Sequence, residues 1–108
     1  MPADVPEPVS GFIAAVNAGD TERFLAFFPA DGLVNDWGRE FRGHDAIRGW
    51  SDSEFVGAKG TLTPTDVSQD GETVTVDGDW ASNHFTGPSR FVFIVDGDAV
   101  REMRITDH

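Results

Sequence analysis

Residues 34–50, "VNDWGREFRGHDAIRGW", join two unlike halves of the chain. Leu33 to Trp37 is β-prone and Glu40 to Arg42 can run back against it. Between them Gly38-Arg39 is a Gly-X pair suited to a type II′ hairpin. A short helix follows Gly43, with the apolar residues Ile47 and Trp50 one turn apart. Before this stretch the apolar residues recur at helical spacing; after it they alternate as in strands.

Upstream, Val9, Phe12, Ile13 and Val16 fall on one helical face, and Ala14, Ala15 and Ala18 favour the same helix. Asn17-Ala18-Gly19 reads as its end. Asp20 is a good N-cap for a second helix that buries Phe24, Leu25, Phe27 and Phe28 and stops at Pro29. Downstream, residues 58–68 are rich in Thr and Val, with Pro64 marking an edge or a bulge. Asp70-Gly71 turns the chain into residues 73–82. There Val74, Val76, Gly78 and Trp80 share one face, and Thr73, Thr75, Asp77 and Asp79 share the other. A loop containing Gly87-Pro88 leads to the strand at 90–95, and Asp96-Gly97-Asp98 turns into a last strand over 99–106.

This order predicts an α+β fold: three helices from the N-terminal half cover a cone-shaped, curved, mixed or antiparallel β-sheet. Helices laid over such a sheet leave a cavity suited to an apolar ligand. The 108 residues suit a single domain over 9–108, preceded by an irregular, proline-rich leader over 1–8. Nine Phe and three Trp in so short a chain imply a bulky core or a lined cavity.

Composition narrows the function. With no cysteine, disulfides and thiolate chemistry are excluded, and no His and carboxylate spacing suggests a metal site. A net charge of −11 and a single lysine, Lys59, argue against nucleic acid and anionic membranes as partners. No apolar run is long enough to span a bilayer, and no basic, apolar leader is present, so the cytoplasm is the expected compartment.

Several side chains are candidates for a site. Asp36 is either a working carboxylate or a solvated acid two residues before a turn glycine. His84 follows the inward face of the 73–82 strand if that strand persists, where it could pass a proton; otherwise it is a loop histidine. Trp37, Trp50, Trp80, Phe91, Phe93 and Met103 could line a pocket, though at least half such aromatics are simply core. Alternation turns Trp37 away from a cavity that Val34 and Asp36 face, so Trp50 and Trp80 are the better wall candidates. His44-Asp45 is explained by placement at a helix start. Arg39, Arg42 and Arg48 could clamp a carboxylate, or pair with the surface acids Glu40, Asp45 or Asp52.

"FIAAVNAGDTERFLAFFPADGLVNDWG", then "FRGHDAI", then "FVFIVDGDAVREMRI" resemble the nuclear transport factor 2-like superfamily, in particular its SnoaL-like and ketosteroid-isomerase-like branch. The resemblance spans residues 9–106. It implies a cystatin-like α+β cone with an apolar pocket, commonly a homodimer through the outer sheet face; no cofactor is expected. It also places Asp36, in Val34-Asn35-Asp36, at the position of a general base acting beside a carbonyl. The oxyanion donors of that isomerase are not matched, because Phe12 stands where a tyrosine is needed and Phe91 stands near the place of a second acid. Standard ketosteroid isomerisation is therefore not expected. Two functions are left open. One is a cofactor-independent isomerase, dehydratase or cyclase using Asp36, helped by His84, on an apolar carbonyl compound. The other is a non-catalytic module that binds a small apolar molecule or assembles as a dimer. On either, Phe12, Trp50, Trp80, Phe91, Phe93 and Met103 are the candidate ligand contacts.

Overall fold

The computed structural model describes residues 5–83 and 85–106. Helices α1 (Val9–Ala18), α2 (Thr21–Ala26) and α3 (His44–Glu54) accompany strands β1 (Leu33–Asp36), β2 (Arg39–Arg42), β3 (Thr61–Asp70), β4 (Thr73–Ala81), β5 (Thr86–Asp96) and β6 (Ala99–Thr106). The strands form one open sheet in the order β2-β1-β6-β5-β4-β3. β1 and β6 run parallel and every other neighbouring pair is antiparallel, so the sheet is mixed and the α+β expectation holds. Among the described residues no helix is long and apolar enough to cross a membrane.

Asn17-Ala18-Gly19-Asp20 both ends one helix and begins the next. Gly19 takes φ +73° and donates its N–H to the Val16 carbonyl, while Asp20 N–H reaches the Ala15 carbonyl. The Asp20 carboxylate then accepts the Arg23 N–H at 3.1 Å and caps α2. The amide of Asn17 lies against β3, donating to Leu62 O at 3.0 Å and accepting from Leu62 N at 2.8 Å. It fills backbone positions that an edge strand would otherwise leave open.

Three local expectations are refined. The β1–β2 turn is Trp37-Gly38, not Gly38-Arg39, since Asp36 pairs with Arg39. Both turn residues have positive φ, 54° and 90°, which is the type I′ pattern rather than II′. Asn35 Oδ1 supports the turn by accepting the Gly38 N–H at 2.8 Å. Pro64 does sit on an edge strand beside a register shift between residues 64 and 66. Gly87-Pro88, expected in a loop, instead belongs to β5 and pairs with Trp80 and Asp79. Among the described residues the pairing of β6 with β5 begins at Arg90, so none of them takes an N–H from position 88, and proline is tolerated there.

Aromatic side chains fill the space between helices and sheet. The Phe12 ring lies 5.2–5.8 Å from the rings of Phe24, Phe27, Phe28 and Phe93. Phe24 continues to Phe55 at 5.6 Å, and Phe55 to Phe91 at 6.3 Å. The depth of the cone is therefore packed solid by its own side chains, not hollow. What remains is a space of about 10 Å³ lined in part by Phe12, Phe91, Phe93 and Met103, at the lower limit for one water.

An ion pair ties α3 to α2: Arg48 donates to Glu22 at 2.7 and 3.2 Å. These hydrogen bonds, and the guanidinium charge, hold the Glu22 carboxyl below the usual carboxylate range. A carboxyl lowered on folding contributes stability above its ordinary pKa and loses it as pH falls through the folded value. Both groups face water, so the contribution is small. Carbon-detected NMR titration should give Glu22 a midpoint below that of an ordinary glutamate, and Arg48→Ala should return it. An unaltered midpoint in the variant would show that the pair does not persist in solution.

Candidate functional site

A pocket of about 310 Å³ opens at the mouth of the cone, lined by residues that include Asp36, Trp50, Phe55, Trp80, Ser89 and Ile105. β1 and its turn supply Asp36 and Trp37, α3 supplies Trp50 and Glu54, and β4, β5 and β6 supply Trp80, Ser89 and Ile105. One wall is a pile of aromatic rings. Phe41, Trp50, Phe55 and Trp80 stack in succession with centroids 5.9, 4.7 and 4.6 Å apart. Phe55 and Trp80 line both this pocket and the small inner space, so they form the partition between the two. Gly60 lets Trp80 lie flat: a Cβ there would sit 2.0 Å from the indole.

The polar side of the pocket is a charged chain. Asp36 Oδ2 accepts from Trp50 Nε1 at 3.0 Å and from Arg39 Nη2 at 2.5 Å. Arg39 also makes a two-pronged contact with Glu54, at 2.7 and 3.1 Å. Hydrogen bonds to Glu54 first, and to Asp36 second, raise the Arg39 pKa above its ordinary value and keep it charged. Both donors to Asp36 fall on one oxygen. Oδ1 has no hydrogen-bond partner among the described residues, although the side chain is only 14% exposed. Ser89, 3% exposed, lines the same pocket, and its hydroxyl also has no hydrogen-bond partner among the described residues. Trp37 and Phe85, 61% and 50% exposed, stand at the rim.

Asp36 thus lines the pocket, with its side chain largely but not wholly covered. Trp50 and Trp80 join it there, while Phe12, Phe91, Phe93 and Met103 surround the inner space instead. His84 lies outside the described residues. Trp37 reaches the rim because the left-handed turn redirects it. Arg39 pairs with Asp36 and Glu54, and Arg48 with Glu22, not with Glu40, Asp45 or Asp52. His44 Nε2 lies 2.8 Å from Phe28 O, which fits its structural role at the start of α3. No group of three or more His, Asp or Glu among the described residues could hold a metal ion.

The sequence reading missed Ser89, Glu54 and Phe55. Ser89 was signalled by period two, because it precedes Phe91 and Phe93 on one strand face, but the supposed loop at Gly87-Pro88 hid it. Glu54 is fifteen residues from Arg39, and only the packing of α3 on the hairpin joins them.

The open mixed sheet under three helices, with its pocket at the wide end, defines a class of small α+β domains. Residues 9–108 match the SnoaL-like domain, and the chain belongs to that family. Solved structures agree on the fold. A candidate polyketide cyclase from Sinorhizobium meliloti is 20% identical, with 95% of this chain and 96% of that one covered and a TM-score of 0.83. A hypothetical protein with a ketosteroid isomerase-like fold from Catenulispora acidiphila, in complex with trimethylamine, is 21% identical over 95% and 86%, with a TM-score of 0.80. The RV0760c protein of Mycobacterium tuberculosis, in complex with estradiol-17beta-hemisuccinate, is 18% identical over 93% and 90%, with a TM-score of 0.79. No curated protein sequence matches the chain.

Proposed function

We propose that this domain binds a small, largely apolar or aromatic molecule in the mouth pocket, with Asp36 as the polar anchor. The observation that carries this reading is the free Oδ1 of Asp36 beside a wall of stacked rings. Stacked rings supply apolar area, and one fixed polar atom sets orientation, which is the usual division of labour in a ligand pocket. That solved relatives of the same fold hold a steroid hemisuccinate and trimethylamine supports a small organic ligand of some kind. A homodimer through the outer sheet face belongs to the same reading. Val92 and Ile94 stand half-buried on that face, and sedimentation should give twice the chain mass.

Catalysis is the second reading, and the same free oxygen favours it. A carboxylate oxygen without a donor can take a proton from carbon next to a bound carbonyl, giving isomerisation, dehydration or cyclisation. The Ser89 hydroxyl would then face the developing oxyanion. A thermal-shift screen of small apolar compounds tests both readings. A ligand at a hundred times its dissociation constant adds about 2.7 kcal/mol. If no compound raises the melting temperature, the binding reading fails. Mass spectrometry of each stabilising compound then shows whether it is recovered unchanged or converted. Should conversion occur, Asp36→Asn must abolish it with the fold intact; full turnover in that variant would remove Asp36 as base.

A further inference from the structure

We infer that the mouth pocket selects organic ammonium ions: a protonated amine on a flat apolar body, not a carbonyl compound or an acid. This rests on the pocket being the binding site, as proposed above, and adds the charge of its ligand.

The polar atoms still free in the pocket decide it. Asp36 Oδ1 can only accept and is open to the pocket, so a ligand that displaces water from it must bring a donor. Ser89 Oγ can accept as well, and its hydroxyl is likewise unmatched among the described residues. An ammonium group brings several N–H donors to a pocket that both acceptors line. A ligand carbonyl serves only Ser89 and leaves Oδ1 without a donor.

Charge points the same way. Asp36 and Glu54 are two carboxylates lining the pocket, both in contact with the Arg39 guanidinium. Arg39 is already committed to both carboxylates and is held there by three hydrogen bonds. It therefore neutralises a resident acid and is a poor receptor for a ligand acid. The wall of Trp50, Phe55 and Trp80 accepts the apolar body. The chain's net charge of −11 adds a field that draws cations towards the mouth.

Three probes share one indole body and differ in charge: tryptamine, a cation at neutral pH; tryptophol, neutral; and indoleacetate, an anion. Each is titrated into the full chain at low salt and followed by two-dimensional NMR, reading the backbone amide of Ser89 and the indole N–H of Trp50. Tryptamine should bind at least about tenfold tighter than tryptophol, since its hydrogen bond to Oδ1 is charge-assisted at both ends, and indoleacetate should be weakest. Asp36→Asn should bring tryptamine down to the affinity of tryptophol and leave tryptophol nearly unchanged. If that variant fails to fold, Ser89→Ala serves instead, because it removes a hydroxyl with no partner among the described residues. Tryptamine should then weaken by about three- to tenfold at an unchanged melting temperature; unaltered affinity overturns the inference. Tryptophol or indoleacetate binding as tightly as tryptamine overturns the charge preference and leaves the pocket reading standing. Failure of all three probes to move either signal overturns both.

Discussion

Phe55→Ala is expected to lower the free energy of unfolding by about 3–5 kcal/mol, the range for removing a buried aromatic ring. Phe55 is 3% exposed and lies against the rings of Trp50, Trp80, Phe24 and Phe91, so its removal takes one member from two aromatic groups. For a domain of this size each kcal/mol corresponds to about 4–8 °C in melting temperature. Calorimetric melting should therefore fall by more than about 10 °C. A second effect separates this site from other core positions. Phe55 belongs to the partition between the mouth pocket and the inner space, so its loss should join them and admit bulkier apolar ligands. If melting fell by less than about 1 kcal/mol equivalent, the segment after α3 would have collapsed into the gap, and no enlarged pocket should then be found.

Asn17→Ala should cost about 2–4 kcal/mol, more than a surface helix position warrants. The reason is two backbone groups. Leu62 N–H and C=O both turn away from β4 and, among the described residues, are met by the Asn17 amide alone, and Leu62 itself is buried. Each group left without its partner costs about 1–3 kcal/mol, tempered here by partial access to water. Asn17→Asp keeps the acceptor and removes the donor, so urea denaturation should place it between Ala and the parent. A loss no larger for Ala than for Asp would mean that water replaces the amide at no cost. Hydrogen exchange at Leu62 should also rise in the Ala variant, because the edge of β3 would be uncovered.

The helices were legible because their signals are local. The residues from Val9 to Val16 carry a helical period, and Asn17 to Asp20 carry a stop and a start in four positions. The strand at 73–82 was legible for the same reason, with Asp77 the informative exception. It lies on the outer face as expected yet is buried, because Arg90 reaches across from β5 at 2.7 and 3.0 Å. The hairpin was placed one residue late, because Gly-Arg suits one turn type while pairing between strands demanded another. A tryptophan in the left-handed region is unfavourable locally and is imposed by register. The site divides along the same line. Asp36, Trp50 and Trp80 were named from their neighbours in sequence or from family likeness. Glu54, Phe55 and Ser89 depend on how α3, the hairpin and β5 converge, which no short window records. The hollow cone was the least legible feature. Counting phenylalanines does not tell a lined cavity from a filled one, and here the rings close the depth while a larger space opens at the mouth.

All three tryptophans, Trp37, Trp50 and Trp80, border the pocket, and the chain has no tyrosine. Its ultraviolet emission therefore comes almost wholly from that one location, with one fluorophore wet at the rim and two dry in the wall. A non-fluorescent occupant should quench or blue-shift the signal without any label, and Trp37→Phe would leave only the wall pair to report. The domain in this way carries its own optical gauge of occupancy.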